Sequence, residues 1–332
     1  MKSDSQTPLI SVIIPVYNSA STLRQCLEAL LQSPYQDMEV IVVDDGSTDQ
    51  SLSVAKSFPC QVIASEANRG PAAARNLGAS VAKAAWLFFL DADILVEPET
   101  ITQVAQTFHE RPEISAFFCS YQKETPAINF FSEYKNYVHH YTHQISSEDA
   151  TTFCSGYGGI KREVFLAIGG FDEHYRNLED IELGYRLHQA GHRILLRKDI
   201  QLSHCKHYSL KGLITSDLFQ RAIPWTKIML DKRIYRADLN TRVNNVLSVP
   251  VAFLILFVLP FIFINAAFLP LFIGLWVAFS ILNIDFYRFI FRERGVWFTA
   301  KTILMNWFTY IYSGIGLIMG VMAFLKTGKA KA

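Results

Sequence analysis

The chain has 332 residues, half of them hydrophobic, and a formal net charge of +1 at pH 7. Its length allows one large domain or two ordinary ones. The balanced charge argues against nucleic acid as a partner, because a phosphate backbone is bound by a strongly basic surface. Five scattered cysteines without a CxxC pair are typical of reduced thiols in a cytosolic compartment and not of a disulfide framework or a zinc site.

Residues 1–8 are predicted to be an N-terminal tail that lacks the apolar core of a signal peptide. From residue 9 to about residue 120, short apolar runs alternate with helical patterns. The predicted strands are LISVIIPV, MEVIVVD, CQVIAS and AWLFFL, and the predicted helices are residues 21–31, 47–58 and 71–85, the second capped by Ser47 and the third opened by Pro71. Strands that are apolar on both faces predict a mainly parallel sheet with helices on each side. Such sheets bind ligands beyond the carboxyl ends of their strands.

Polar residues follow each of the four predicted strands at that edge. They are Tyr17 and Asn18, then Asp44, Asp45 and Gly46, then Asn68 and Arg69, and finally Asp91 and Asp93. Each group alone fits a turn or a helix cap. Because the four groups share one edge of the sheet, they predict a ligand site.

The segment LFFLDADIL places two carboxylates, Asp91 and Asp93, at the end of a buried strand. In an extended segment both side chains point to the same side. Carboxylates so close repel each other unless a positive charge compensates, and hard oxygen ligands suit Mg²⁺ or Mn²⁺. The alternative is that Asp93 caps the helix predicted for EPETITQVAQTF.

Two later segments carry further candidates. In NLEDIELGYRLHQAGHRI, Glu179 and Asp180 begin a predicted helix that stops at Gly191. The helix dipole favours carboxylates at that end, and a plain N-terminal charge pair is the alternative. In CSGYGG, Gly156 and Gly158 would let an acceptor or a sugar approach the backbone, although they equally allow the chain to turn.

The segment HHYTH offers His139 and His143 at the spacing of a helical zinc pair. No acidic residue follows the HExxH pattern. An interfacial helix rich in aromatic residues and histidine is therefore the favoured interpretation.

An uncharged stretch at residues 246–284 changes the character of the chain. At about 1.5 Å per residue it can cross a ~30 Å hydrocarbon layer twice, so two transmembrane helices with a turn near residues 265–270 are predicted. A third transmembrane or re-entrant helix is predicted at residues 303–325, where Gly314, Gly316 and Gly320 are candidate close-packing positions. Core helices of a soluble protein are the alternative.

Basic residues flank these apolar segments. They are Lys227, Lys232, Arg233, Arg236 and Arg242 in a juxtamembrane segment at residues 226–245, and Arg288, Arg292, Arg294 and Lys301 in an interfacial loop or helix at residues 285–302. Both segments are expected on the cytoplasmic side. Three full crossings would put the basic tail at residues 326–332 outside. Either the third helix re-enters, or the weak signal of the tail is overruled.

Six segments together resemble glycosyltransferase family 2, the inverting enzymes with a GT-A type fold. They are SVIIPVYNSASTLRQCLEALL, EVIVVDDGSTDQS, NRGPAAARNLG, FFLDADI, GGFDE and NLEDIELGYRLHQAGHRI. The resemblance implies an α/β fold, with a GT-A type nucleotide-diphospho-sugar transferase domain at residues 9–225. Its mainly parallel, Rossmann-like sheet would be followed by the C-terminal transmembrane helices.

The resemblance also implies roles for the matching residues. Asp91 and Asp93 would bind a divalent cation, Mg²⁺ or Mn²⁺, that bridges the donor diphosphate. The residues expected to contact the nucleotide sugar are Pro15, Tyr17, Asn18, Asp45, Arg75 and Asp91.

On the other side of the site, Asp180 is expected to be the general base for an acceptor hydroxyl, and Glu179 to position that acceptor. His204 is an expected additional metal ligand. The segment QRAIPW is similar to the QxxRW motif of membrane polysaccharide synthases, which places Arg221 and Trp225 on the acceptor side. Because Arg221 adjoins Gln220 instead of Trp225, processive polymerisation is not expected.

Three functions fit these observations. The first, which we predict, is a metal-dependent inverting glycosyltransferase of the cytoplasmic membrane that moves a sugar from a nucleotide diphosphate sugar to a hydroxyl of a membrane lipid or lipid-linked saccharide. The second is a polyprenyl phosphate glycosyl synthase, whose ionised acceptor needs little help from a base. The third is a binding or transport component without turnover, for which spans without internal ionisable residues offer little to line a polar path.

Overall fold

The computed structural model describes residues 9–233 and 242–329. The chain forms two compact units, the first ending at His207 and the second beginning at Tyr208. The predicted N-terminal tail, the middle of the juxtamembrane segment and the last three residues of the basic tail lie outside the described residues. All five cysteines are free, as their scattered positions predicted.

The first unit follows the predicted βαβαβαβ order as far as its fourth strand. Its strands are β1 (Ile10–Val16), β2 (Met38–Asp44), β3 (Gln61–Ala64), β4 (Trp86–Leu90), β5 (Ile94–Leu95), β6 (Ala116–Tyr121), β7 (Asp149–Ala150), β8 (Tyr157–Lys161) and β9 (Ile194–His204). Its helices are α1 (Ala20–Leu31), α2 (Ser51–Lys56), α3 (Pro71–Val81), α4 (Thr100–Glu110), α5 (Phe130–Ile145), α6 (Arg162–Ala167) and α7 (Glu179–Gln189).

The strands of the first unit are ordered β3-β2-β1-β4-β8-β6-β9-β5, and β7 also pairs with β9. β1 is parallel to both β2 and β4, and β2 is parallel to β3. This half is the parallel sheet that the sequence predicted. β8 lies antiparallel between β4 and β6, so the complete sheet is mixed. The carboxyl ends of β1, β2 and β4 meet at one edge.

The core of the first unit lies on both faces of its central strands. Ile13 and Ile14 are adjacent in β1 and point to opposite faces, yet both are fully buried. Phe88 and Phe89 repeat this arrangement in β4. Each such side chain stabilises the fold by about 1.5–3 kcal/mol on burial. Burial on both faces therefore explains the uninterrupted apolar runs.

α2 begins at Ser51, later than the predicted start at Ser47. The loop before it is held by side chains of neighbouring strands. The N–H of Asn18 donates to Ser47 Oγ at 3.0 Å, and the N–H of Ser47 donates to Asp44 Oδ2 at 3.3 Å. Ser47 therefore fixes a loop at the edge of the sheet and does not cap the helix.

α5 is not the interfacial helix that its histidines predicted. It packs against β6, and His140 and His143 are buried. The imidazole of His143 stacks on Tyr121 with ring centroids 5.8 Å apart. Burial, and then the neighbouring His140, lower the pKa of His143 to about 4. This helix is therefore part of the core of the first unit, where burial holds His143 neutral beside the ring of Tyr121.

The second unit consists mainly of helices in its described residues. They are α8 (Leu210–Thr215), a π-helical segment (Ser216–Ala222), α9 (Ile223–Lys232), α10 (Val243–Ile264), a 3₁₀ turn (Ala266–Phe268), α11 (Leu269–Leu282) and α12 (Ile284–Lys329). The predicted catalytic-domain boundary at residue 225 falls inside α9, which packs on α12.

By length and composition, α10 and the Ile284–Lys326 part of α12 can each cross a membrane. α11 has 14 residues, fewer than the about 20 that a span needs. α12 is bent, because Gly295 has φ 73° and ψ −174°, far from helical values. The segments before and after Gly295 therefore run in different directions.

Glycines bring the helices of the second unit close together. A Cβ on Gly316 would lie 2.5 Å from Ala222, and one on Gly320 would lie 2.6 Å from Thr226. Gly314 approaches α10 equally closely. The absence of side chains at these positions lets α12 pack tightly on its neighbours.

A buried set of neutral polar side chains joins α10 to α12; we call it the amide–tyrosine cluster, formed by Ser248, Asn283, Tyr287, Asn306 and Tyr310. Asn283 Nδ2 donates to Ser248 Oγ at 3.0 Å. Asn306 Nδ2 donates to Asn283 Oδ1 at 3.2 Å and to Tyr287 Oη at 3.0 Å. Tyr310 Oη donates to Asn283 Oδ1 at 3.0 Å. Hydrogen bonds thus satisfy polar groups that the apolar surroundings would otherwise leave unpaired.

Candidate active site

The DAD segment follows β4 and lies against the start of β8. The N–H of Asp91 donates to the carbonyl of Gly156 at 2.9 Å. A Cβ on Gly156 would lie 2.8 Å from Asp91 Oδ2, so a glycine is needed to leave room for this carboxylate. At Gly158 the corresponding space is filled by the ring of Phe153, 2.6 Å away.

Arg75, on α3, joins the two acidic motifs. Its Nη2 lies 2.6 Å from Asp91 Oδ1, and its Nη1 lies 2.6 Å from Glu179 Oε1. The residue is only 4% exposed. Burial opposes its charge, but Asp91 and Glu179 outweigh burial and raise the pKa of Arg75 further. The guanidinium is therefore a permanent positive charge between carboxylates.

The ED pair begins α7, directly after Leu178, whose φ of 63° is in the left-handed region. Asp180 Oδ2 accepts from the N–H of Ser155 at 3.2 Å, and its Oδ1 accepts from the N–H of Ile181 at 2.8 Å. Two backbone donors thus fix the orientation of this carboxylate.

The carboxyl groups of Glu179 and Asp180 both have a raised proton affinity. Burial is the main cause for Glu179; Arg75 opposes it, Asp180 reinforces it, and the pKa of Glu179 rises to about 7. Burial also raises the pKa of Asp180, against the charge of Arg75. A carboxylate that binds protons more readily is better suited to act as a general base near neutral pH.

Asp93 and His204 lie side by side, although 111 positions separate them in the chain. His204 ends β9, and its Nε2 lies 3.3 Å from Asp93 Oδ2. The ring of Tyr121 stacks on His204 with centroids 5.3 Å apart. Burial would raise the pKa of Asp93, but His204, followed by Lys206, outweighs burial and holds that pKa below its usual value. Asp93 is therefore an anion.

The donor atoms at this position suit a divalent cation. The Asp93 carboxylate is 31% exposed and the His204 side chain 13% exposed, and Mn²⁺ accepts both oxygen and imidazole ligands. Asp91 directs Oδ1 at Arg75 and keeps Oδ2 on the side of Gly156. Within residues 9–233 and 242–329, no three His, Cys, Asp or Glu side chains converge as a metal-binding group. The residues present fit an ion that draws its other ligands from a diphosphate and water.

The loop after β1 is attached to the loop after β2. Asn18 has φ 48°, and its Oδ1 accepts from the N–H groups of Thr48 at 2.8 Å and Asp49 at 3.3 Å. Pro15 lies within β1, and Tyr17 is 47% exposed. The ring of Tyr17 is therefore accessible for contact with a planar ligand.

The loop after β3 is held by Asp45. Its Oδ1 accepts from the N–H of Arg69 at 3.0 Å, and its Oδ2 accepts from the N–H of Gly70 at 2.8 Å. The preceding Asp44 keeps one carboxylate oxygen buried without a hydrogen-bond partner in the part of the chain that the structure describes. An unpaired buried oxygen is costly, and this residue is only 2% exposed, so the oxygen is not open to a ligand in this arrangement.

Comparison with known proteins places the chain in a family. The model of Glycosyl transferase family 2 matches residues 11–169. A protein of Haemophilus influenzae described as an uncharacterized glycosyltransferase is 31% identical over 241 residues, which are 69% of this chain and 79% of that protein. The chain belongs to glycosyltransferase family 2.

Two further similarities place this family 2 glycosyltransferase among its relatives. It is 39% identical to the glycosyltransferase GlyG of Streptococcus pneumoniae over 108 residues, and the chain spans 36% of the length of GlyG. The solved structure of the mannosyltransferase PcManGT from Pyrobaculum calidifontis, in complex with GDP-Man and Mn²⁺, aligns with a TM-score of 0.60 and 18% identity. That alignment covers 97% of this chain and 88% of PcManGT. The fold is therefore of GT-A type, followed by apolar helices.

Sequence reasoning missed several groups of the glycosyltransferase site. Phe171 lies beneath Arg75, with its ring centroid 5.7 Å from the guanidinium carbon. Tyr121 supports His204, and Ser155 contributes only its backbone N–H. The GGFDE segment carried the signal for Phe171, but a backbone donor and a stacked ring leave no spacing pattern in a sequence.

The predicted acceptor residues Arg221 and Trp225 belong to the second unit. Arg221 lies in the π-helical segment, with Nη1 3.8 Å from Asp217 Oδ1. Tyr312 Oη donates to Asp217 Oδ2 at 2.9 Å. The carboxylates and Arg75 described above belong to the first unit.

Proposed function

We propose that this glycosyltransferase moves a sugar, with inversion at the anomeric carbon, from a nucleotide diphosphate sugar to a hydroxyl of a membrane lipid or lipid-linked saccharide. The observation that carries the proposal is the carboxylate of Asp180. It is oriented by two backbone N–H groups and has a raised pKa. A hydroxyl acceptor needs such a base, because it must lose a proton as it attacks.

The donor side is assigned to the edge formed by β1, β2 and β4. Tyr17, Asn18 and Asp45 would hold the nucleoside, supported by Pro15 within β1. The presence of GDP-Man in the PcManGT structure supports a nucleotide diphosphate sugar as the donor class.

Asp93 and His204, which lie side by side, would hold a divalent cation, Mg²⁺ or Mn²⁺, and Asp91 would join them only once the donor diphosphate is bound, because the three side chains do not converge by themselves. When bound, such an ion neutralises the negative charge that develops on a departing diphosphate. The protein's own part is to direct the carboxylates: Gly156 leaves room for Asp91, and Tyr121 supports His204. The Mn²⁺ in the PcManGT structure supports this assignment.

On the acceptor side, Asp180 takes the proton of the hydroxyl while the acceptor oxygen forms the new glycosidic bond and the bond to the diphosphate breaks. Glu179 is fixed by Arg75 beside this base and positions the acceptor. Gly156 and Gly158 stay predictions for the acceptor side, with Asp91 and Phe153 filling the space beside them. Arg221 and Trp225 also stay predictions for acceptor contact.

The second unit supports a membrane acceptor. Two of its helices are long and apolar enough to cross a bilayer, which would keep the catalytic domain at the cytoplasmic face of the membrane. Basic residues near Gly295, including Arg288 and Arg292, are exposed and favour a surface with anionic lipid.

A donor panel tests the proposal directly. The purified protein in vesicles of total lipid extract is incubated with radiolabelled UDP-glucose, UDP-galactose, UDP-N-acetylglucosamine and GDP-mannose, with Mn²⁺ or with a chelator. We expect label in the lipid fraction from one donor, dependent on the ion, and lost in Asp180→Asn. Absence of transfer from every donor in the presence of Mn²⁺ would contradict the proposal.

The same product separates the two acceptor classes. A glycosyl phosphate is released by mild acid, whereas a glycoside of a lipid hydroxyl is stable. An acid-stable product that requires Asp180 supports the hydroxyl acceptor. An acid-labile product that still forms in Asp180→Asn would instead identify a polyprenyl phosphate glycosyl synthase.

A further inference from the structure

We propose that Arg75 is a positioning residue that holds Asp91, on the donor side, and Glu179, on the acceptor side, at a fixed separation. This role rests on the proposed glycosyl transfer, and it differs from the nucleotide contact that the family resemblance implies. Its basis is that both Nη atoms of the guanidinium are engaged by carboxylates at 2.6 Å, and the side chain is almost fully enclosed.

The two carboxylates reach Arg75 from different elements. Asp91 follows β4, Glu179 begins α7, and Arg75 lies in the middle of α3. A planar guanidinium presents its N–H groups in fixed directions, whereas a lysine offers a single nitrogen. A lysine would have to meet both carboxylates from one nitrogen, whereas each of the two Nη atoms meets one of them at 2.6 Å. The arrangement therefore requires arginine and not just a positive charge.

The surroundings of Arg75 leave its orientation to these partners. Its Nε is buried without a hydrogen-bond partner in the described residues, and the ring of Phe171 covers one face. The carboxylates alone thus direct the guanidinium. In return, its single charge compensates part of the negative charge of Asp91, Glu179 and the neighbouring Asp180.

Loss of Arg75 would leave three carboxylates without their shared cation. Like charges so placed repel each other, so the donor-side and acceptor-side groups would move apart. A misplacement of about 1 Å between reacting groups lowers a rate by about 10²-fold. We therefore expect Arg75 to affect turnover more than it affects donor binding.

The decisive experiment is a double-mutant cycle on kcat and on the donor KM. Arg75→Gln, Glu179→Gln and the double variant are compared in lipid vesicles, with whichever of the four donors the wild type turns over fastest. We expect each single change to lower kcat about 10²-fold and to change KM by less than about fivefold. The double variant should be no more than about threefold slower than the slower single variant, because both changes break one link.

Arg75→Lys separates geometry from charge. It keeps the positive charge but replaces two separately placed nitrogens by one on a flexible stem, so kcat should recover about tenfold over Arg75→Gln and remain about tenfold below the wild type. Complete recovery of kcat in Arg75→Lys would show that the two Nη atoms of a guanidinium are not required, and would overturn the proposal. This variant also keeps the test valid if Arg75→Gln does not fold.

A matched control lies on α7 itself. Arg186 Nε is bound to Glu182 Oε2 at 2.8 Å, and its Nη atoms donate to the carbonyls of Ile168 and Gly170 at 2.7 Å. Arg186→Gln also removes a buried Arg–Glu pair, so it should lower the melting temperature. When Arg186→Gln is combined with Glu179→Gln, the two fold-changes in kcat should multiply, as expected for independent sites.

The outcomes are distinguishable. Wild type without turnover of any donor overturns the proposed function and, with it, this inference. Turnover by the wild type combined with additive losses, about 10⁴-fold in the double variant, overturns only the role of Arg75. A rise in donor KM with unchanged kcat would also overturn it, in favour of a nucleotide contact. Losses in kcat that do not add in the double variant support the role of Arg75.

Discussion

The two units each bury a polar cluster, and the clusters differ in charge. In the first unit Arg75, Asp91, Glu179 and Asp180 form a charged group at the edge of the sheet. In the second unit the amide–tyrosine cluster contains only neutral donors and acceptors. Both clusters are largely buried, so burial alone does not explain the difference.

The difference shows what each cluster is for. A charge buried in an apolar setting is stable only when it is paired, and even a paired charge is disfavoured among membrane helices. Amides and hydroxyls can join helices there at a lower cost. The proposed transfer uses the charges of the first unit, whereas the neutral side chains of the second unit join its helices.

The largest expected effect is on the charged cluster. Asp180→Asn keeps the shape of the side chain but removes the proposed base, so kcat for a hydroxyl acceptor should fall about 10³-fold. Measurement of kcat with the donor identified from the panel checks this. The control is Asp199→Asn, an exposed aspartate paired with Arg197, which should behave as wild type. A loss below tenfold for Asp180→Asn would assign the base elsewhere.

A second prediction concerns the ion. Asp93→Ala removes a ligand, so the affinity for Mn²⁺ in the presence of the nucleoside diphosphate should fall by at least about tenfold, and His204→Gln should have a smaller effect. Electron paramagnetic resonance of free Mn²⁺ measures both changes. His174→Gln, at an exposed histidine, is the control. Unchanged Mn²⁺ binding in Asp93→Ala would remove this aspartate from the site.

The third prediction uses pH to distinguish the clusters. The pKa of Glu179 is raised from 4.5 to about 7, so the folded state binds the proton more tightly than the unfolded state. The stability from this group is complete below pH 4.5 and is lost as the pH rises to about 7. Glu179→Gln should reduce this loss, which is on the order of 2 kcal/mol.

Melting temperatures at pH 5 and pH 8 measure that difference. The wild type should lose more stability than Glu179→Gln over this interval. The control is Glu113→Gln, at an exposed glutamate. Equal pH dependence in the wild type and Glu179→Gln would show that this carboxyl titrates normally.

The fourth prediction addresses the neutral cluster. Asn283→Ala leaves Ser248, Asn306 and Tyr310 without their shared partner, and should lower the free energy of unfolding by about 1 kcal/mol. Unfolding in detergent micelles checks this, with Ser280→Ala on α11 as the control. A loss of kcat that, expressed as a free energy, exceeds the loss in the free energy of unfolding would show that the two clusters do not have separate roles.

The smallest expected effect concerns the backbone before the ED pair. Leu178 has a φ of 63°, a conformation that costs a non-glycine residue about 1 kcal/mol. Leu178→Gly relieves that strain but increases the entropy of the unfolded chain, so a net stabilisation of about 0.5 kcal/mol is expected. Chemical unfolding measures it. Asn177→Gly should only lower the free energy of unfolding. A similar decrease in Leu178→Gly would show that Leu178 is not strained.

Sequence patterns predicted the parallel half of the sheet because the strands of that half are buried on both faces and separated by well-marked helices. They also placed the acidic residues at the correct edge, since a strand end and a carboxylate can both be recognised locally. The start of α2 was wrong because Asn18, from another loop, holds Ser47. The burial of α5 was missed because its partner Tyr121 is distant in sequence.

The candidate site was predictable only residue by residue. Motifs identified Asp91, Glu179 and Arg75, but they did not show that one guanidinium joins the two carboxylates. That link depends on how α3, β4 and α7 converge. The amide–tyrosine cluster was not predicted at all, because its members are single polar residues in segments whose overall hydropathy dominates the pattern.

The bend at Gly295 determines how much of α12 lies along any one direction. A straight helix over the 43 residues Ile284–Lys326 would extend about 65 Å, roughly twice the thickness of a hydrocarbon layer. The φ and ψ values of Gly295 belong to a region that is essentially closed to residues with a side chain. Gly295 thus divides α12 into two shorter helical segments. Any larger residue at this position would have to change the angle between the two segments.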